Sequence, residues 1–113
     1  MVQTELRLAA LAFTRLAQHG ADVRFTVVNL GASTVRITTR CGDQLTPVVE
    51  RRSGNEWQQY SGGFCITIYP MSPVPLSAGA QRDGVVVLAE PGKYRLILGT
   101  ESGPVVSATF SIQ

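Results

Sequence analysis

The chain has 113 residues, enough for one domain with its own core, and 44% of them are hydrophobic against 16% charged. That balance argues against disorder, and a net charge of +2 is too even to mark a nucleic-acid binder by charge alone. No apolar run reaches the roughly 18–20 residues that span a bilayer, so no membrane insertion is expected.

The first segment, "TELRLAALAFTRLAQHG", sustains two readings. Leu6, Ala9, Ala10, Phe13, Leu16 and Ala17 suit one face of a helix, with Gly20 just past its end. A strand kinked at Ala9-Ala10 would instead supply the first strand of a sheet protein, and consistency with the strand-like remainder of the chain selects the strand. Glu5 and Arg7 interrupt the apolar stretch, which therefore lacks the shape of a secretory signal. The expectation is either a cytoplasmic protein or a chain whose export signal lies upstream of Met1.

Downstream, short alternating runs are separated by turn residues. "VRFTVVN" sets Val23, Phe25 and Val27 on one face, and "STVRITTR" does the same with Val35, Ile37 and Thr39. The short link "NLGA" reads them as a hairpin. "PVVERR" and "EWQQY" flank "SGN" as a second hairpin with Gly54 at its tip, and pairing Arg52 with Glu56 is the expected register. "FCITIY" alternates Phe64, Ile66 and Ile68 inward, while the prolines of "PMSPVPLSAGA" confine that stretch to an edge or a crossover. "GVVVLAE" and "KYRLILG" surround the turn dipeptide Pro91-Gly92. The last run, "VVSATFSI", predicts Val106, Ala108, Phe110 and Ile112 on one face.

Strands and turns at this spacing, without alternating helices, predict a single all-β domain over residues 1–113, an immunoglobulin-like β-sandwich of about seven antiparallel strands. "AEPGKYRLIL" adds a tyrosine corner, in which the Tyr94 hydroxyl returns to the backbone a few residues upstream.

The order of "VRFTVVNLGASTVRI", "VVERRSGNEW", "PLSAGA", "EPGKYRLIL" and "VVSATFSI" resembles the bacterial immunoglobulin-like domains of exported proteins and lipoproteins of unknown function. The resemblance covers nearly all the chain after Ala21. It implies an extracytoplasmic bacterial module, a lipoprotein anchor upstream of this chain as one form of attachment, and a disulfide between Cys41 and Cys65. The alanine-rich first strand and the missing export signal depart from that pattern.

Read by themselves, Cys41 and Cys65 exclude more than they specify. With His19 as the sole histidine they fall short of four zinc ligands. Their separation by 23 residues is no C-x-x-C, and nothing ties His19 to either thiol as a base. A disulfide or two separate buried thiols are left. Continuing the expected hairpin ladder brings the two within about two residues of opposition. Such a bridge would stabilise the fold by roughly 3.5 kcal/mol on the chain-entropy model.

Ser61 and Ser102 lack the context of a nucleophile elbow, and no glycine-rich phosphate loop occurs, so no cofactor and no catalytic residue is expected. The Arg36, Arg40, Arg51 and Arg52 cluster reads first as solvated sheet surface, and His19 as a turn residue in water. Trp57 reads first as core, with Phe64 and Phe110 inward. Trp57, Tyr60, Arg51 and Arg52 nevertheless form the one candidate binding surface. The expected function is a non-catalytic spacer or protein-interaction module. The alternatives are a protease inhibitor working through "NLGAS", "YSGGF" and "TESGP", and a carbohydrate binder using Trp57 and Tyr60. The inhibitor reading is lowered by the absence of the Asn-Pro-Thr-Thr-Gly and Arg-Pro-Trp motifs of chagasin-like inhibitors.

Overall fold

Alternating apolar residues on short strands leave each strand with one face to bury, and here they do so in two antiparallel sheets packed face to face. The computed structural model describes residues 11–38, 40–41, 44–61 and 73–113, without the side chains of Arg40, Cys41 and Gln44. In chain order the strands are β1 (Leu11–His19), β2 (Asp22–Asn29), β3 (Val35–Ile37), β4 (Arg40–Cys41), β5 (Gln44–Leu45) and β6 (Val48–Ser53). They continue as β7 (Glu56–Ser61), β8 (Val74–Leu76), β9 (Gln81–Val87), β10 (Gly92–Thr100), β11 (Gly103–Val106) and β12 (Phe110–Ile112).

One sheet has the order β1-β2-β9. The other runs β7-β6-β10-β3-β8, with β11 and β12 also paired to β10, and β4 and β5 form a small separate hairpin. A single core joins the sheets, with Val23, Phe25 and Val27 from one meeting Ile37, Val49, Tyr94, Leu96 and Leu98 from the other. Each fully buried Leu, Val or Phe contributes about 1.5–3 kcal/mol. The all-β sandwich is therefore as expected, with more and shorter strands than the expected seven.

The described part of the first segment, Leu11–His19, is a strand. Its register against β2 slips between Phe13 and Arg15, a bulge that turns both Phe13 and Leu16 toward the core. Apolar residues three apart are a helix signal in sequence, and here a bulge produces them.

Several expectations are corrected. β2 and β3 are not a hairpin: they belong to different sheets, and the link between them is a crossover. Pro91 lies between β9 and β10 as expected, and the chain passes there from one sheet to the other. In the β6–β7 hairpin Ser53 faces Glu56 and Arg52 faces Trp57, one residue from the expected register, because two residues rather than three form the turn. That ladder does not continue back to Cys41, which pairs with Gln44 in the β4–β5 hairpin. Finally, the closing run changes phase: Val105 and Ser107 are buried, Val106 is exposed, and Ile112 is buried again. The break between β11 and β12 begins at Ser107, whose N–H and Oγ bond the Leu96 C=O and N–H at 2.8 Å each. The proline-rich stretch is an edge strand as expected, with Pro75 exposed between buried Val74 and Leu76. "FCITIY", with Phe64, lies outside the described residues.

The β2-to-β3 crossover is held by Asn29, whose side chain is fully buried. Its Nδ2 donates to the carbonyls of Ser33 at 2.7 Å and Leu76 at 2.8 Å, and its Oδ1 accepts from the Gly31 N–H at 2.9 Å. Its own N–H and C=O bond Ala80 and Gly79. One residue thus ties the end of β2 to the loop before β3 and to β8 through its side chain, and to the loop before β9 through its backbone. We expect Asn29→Ala to leave the buried Leu76 carbonyl and the part-buried Ser33 carbonyl and Gly31 N–H without this partner, and to cost about 2 kcal/mol in denaturant unfolding. A loss below about 0.5 kcal/mol would mean that the crossover does not depend on this amide.

Candidate binding surface

Alternation along β6 and β10 decides which candidate side chains meet. Tyr94 faces Arg51, Arg95 faces Glu50 and Leu96 faces Val49. Since Tyr94, Leu96 and Leu98 are buried, Arg51 shares the inner side of the sheet, while Glu50, Arg52, Lys93 and Arg95 lie on the outer side.

On the inner side, at the end of the sandwich, Tyr94 forms the expected corner: its hydroxyl donates to the Glu90 carbonyl at 2.7 Å. Its ring meets Tyr60 edge-on, with centroids 5.3 Å apart, and lies 6.2 Å from Phe110 at 28°. Phe110 is half-buried there, consistent with its expected inward position. Arg51 closes this aromatic group. Nη2 donates to the Pro91 carbonyl at 2.6 Å, Nη1 approaches the Glu90 carboxylate at 3.2 Å, and the guanidinium carbon lies 5.8 and 5.9 Å from the Tyr60 and Tyr94 centroids. Gly92 is needed for this approach, because a Cβ there would stand 2.8 Å from Arg51 Nε. The Tyr60 phenol is held above its ordinary pKa, first by desolvation and then by the Glu90 carboxylate and Tyr94.

On the outer side Trp57 is half-buried, not core. The cause is the hairpin register: opposite Arg52, its ring lies over the polar face of the sheet. The Arg95 guanidinium carbon is 4.4 Å from the Trp57 centroid and that of Arg52 is 5.5 Å away. Nε and Nη2 of Arg95 also reach Glu50 Oε1, at 2.7 and 2.6 Å. This pair is partly exposed and contributes about 1 kcal/mol or less. Arg52 Nε donates to the Gly54 carbonyl at 3.0 Å. Among the described residues neither Arg52 nor Lys93 has a carboxylate partner. An open groove of about 430 Å³ lined by Arg51, Gln58, Tyr60 and Gly92 among others adjoins the strip. A second groove is lined by Arg52, Gly54 and Lys93.

The structure therefore divides the four expected surface residues. Arg51 and Tyr60 belong to the aromatic end, Arg52 and Trp57 to the outer strip. Glu50, Lys93 and Arg95 were missed, although the alternation of "KYRLILG" already sets Lys93 and Arg95 opposite the apolar side. Arg36 is exposed on β3, where its N–H reaches Glu101 Oε1 at 3.2 Å, and the Arg40 side chain lies outside the described residues. His19 is exposed at the end of β1, Ser61 at the end of β7, and Ser102 in the β10–β11 turn. The side chain of Cys41 and all of Cys65 lie outside the described residues, and with them the pairing that the resemblance implies.

Two facing antiparallel sheets and a tyrosine corner place the chain in the class of immunoglobulin-like β-sandwiches. No family model and no curated protein matches it. It is similar to a solved structure described as an X-ray structure of Northeast Structural Genomics Consortium target SoR45, at 16% identity and a TM-score of 0.38, over 90% of this chain and 80% of that one.

For the corner, Tyr94→Phe should keep the ring packing and lose only the bond to Glu90. We expect a loss of about 1–2 kcal/mol in denaturant unfolding. An unchanged midpoint would show that the hydroxyl does not fix the corner.

Proposed function

We propose that the chain is a non-catalytic immunoglobulin-like module of an extracytoplasmic bacterial protein, and that it binds a protein partner on the outer face of β6, β7 and β10. The observation that carries this reading is the strip in which Trp57 lies against Arg52 and Arg95, with Arg52 and Lys93 lacking carboxylate partners among the described residues. Aromatic and arginine side chains side by side are the composition of interface hot spots. The unneutralised cations favour an acidic partner. β7 ends its sheet, and among the described residues no strand pairs its outer edge. An extended acidic segment added there would use the backbone for affinity and the cations for orientation.

A second reading is favoured by one feature at the other end of β10. Leu30 is 67% exposed and follows the buried, hydrogen-bonded Asn29 in the loop before β3, and Arg36 and Glu101 tie β3 to the Thr100–Gly103 turn. A stiff loop presenting one apolar side chain suits insertion into a protease cleft. Carbohydrate stacking on Trp57 is less favoured, because the Arg95 guanidinium already lies against that ring.

The test is an array of extended peptides of varied charge, read by fluorescence anisotropy at low and high salt. Acidic peptides should bind, lose affinity with salt, and lose it about tenfold or more with Arg52→Glu or Trp57→Ala in folded protein. Equal retention of neutral and acidic peptides would contradict the acidic partner. No retention by any peptide, with inhibition of a protease that Leu30→Asp abolishes, would favour the second reading.

The export and the Cys41–Cys65 bridge belong to the same proposal. In protein prepared without reductant, both thiols should resist alkylation after unfolding, whereas reaction at both would remove the bridge and the support it lends to export.

A further inference from the structure

We propose that the outer face of the β1-β2-β9 sheet carries a second, separate site: a pit for a phosphate group, framed by Arg15, His19 and Arg24 and selected by Asp83. Alternation after the β1 bulge sets Arg15, Ala17 and His19 outward, because Leu16 turns to the core. Across the ladder Arg15 faces Thr26, Ala17 faces Arg24, and on the far side Thr26 faces Asp83. These six residues and Gly84 line a depression of about 160 Å³, a size suited to one tetrahedral oxyanion. It is a depression because Ala17 is small; the Gly84 backbone forms part of its wall, and that position must be glycine because a Cβ there would lie 2.3 Å from Phe25 Cζ on the inner side.

The charges define the ligand. Among the described residues neither Arg15 nor Arg24 has a carboxylate partner. Asp83 stands in the same pit yet spends one oxygen on the Thr26 hydroxyl, 2.7 Å away. Two guanidinium groups on neighbouring strands repel each other, and an anion between them offsets that repulsion while accepting their N–H groups. His19 adds a ring N–H at the end of the pit. A carboxylate on the rim would repel a fully ionised anion such as sulfate. A phosphate or phosphomonoester retaining one proton can donate it as a hydrogen bond to the second Asp83 oxygen. The site is therefore matched to a proton-bearing phosphate group, free or esterified.

The experiment uses ¹H–¹⁵N spectra of the whole chain, titrated at matched, low ionic strength with sodium phosphate, with sodium sulfate and with O-phosphoserine. Saturable shifts at Ala17, Arg24, Thr26 and Gly84 are expected with phosphate, with sulfate weaker by about tenfold. Arg24→Gln should weaken phosphate by about tenfold or more, and Asp83→Asn, which keeps an acceptor for Thr26, should erase the preference over sulfate. Tighter binding of O-phosphoserine than of phosphate would identify an esterified ligand, and the reverse a free one. Absence of saturable shifts with phosphate, equal binding of sulfate by the unaltered chain, or indifference to Arg24→Gln would overturn the proposal. The spectra themselves report whether each variant is folded, and the β6–β7 face is not involved in any outcome.

Discussion

β10 is paired along both edges, and that constraint organises the rest of the molecule. β6 and β3 lie end to end on one edge, while β11 and β12 share the other. A strand so enclosed has no freedom of register, so its alternation fixes two surfaces at once. Tyr94, Leu96 and Leu98 become core, and Lys93 and Arg95 are committed to the outer strip. The Tyr94 hydroxyl bond to Glu90 sets where this strand begins, immediately after the chain has crossed from the other sheet. The cation–aromatic face therefore follows from the same register that builds the core.

Sandwich topology requires the chain to pass between sheets, and each passage must satisfy backbone groups removed from water. Two passages show different solutions. At the first, the buried side-chain amide of Asn29 does the work of a turn, bonding the loop before β3 at Gly31 and Ser33 and β8 at Leu76. At the second, Leu88 is buried and its N–H reaches the Ala21 carbonyl at 2.8 Å, before the tyrosine corner turns the chain into β10. Sheet edges are managed as well. β1 runs beside β11, β5 lies near β9, and the edge strand β8 carries Pro75.

Period-two alternation made the strands legible wherever the ladder is regular, as in Val23, Phe25 and Val27 or Tyr94, Leu96 and Leu98. It failed at irregularities, which carry no mark of their own in a single chain. The β1 bulge spaced Phe13 and Leu16 three apart, which is also a helix period. The break at Ser107 reversed the faces of the closing run, because a serine satisfying both backbone groups of Leu96 stands in the ladder. Sheet membership was hidden too: a short link between two strands reads as a hairpin unless one knows that Asn29 is buried. For the candidate surface, the residue types were legible and their division was not. Arg51 and Arg52 are neighbours in sequence and therefore opposite in direction, and a one-residue register difference moved Trp57 from core to outer face.

The two functional faces proposed lie on different sheets and use different chemistry, but both presuppose the same enclosed β10 and single core. Amide hydrogen exchange tests that premise most directly. With β10 enclosed, the amides of Tyr94 to Leu98 should be among the slowest in the chain, exchanging only by global unfolding, while the outward amides of β7 exchange by local opening. Exchange in β10 as fast as in β7 would contradict the pairing on which the core, the outer strip and the corner all depend.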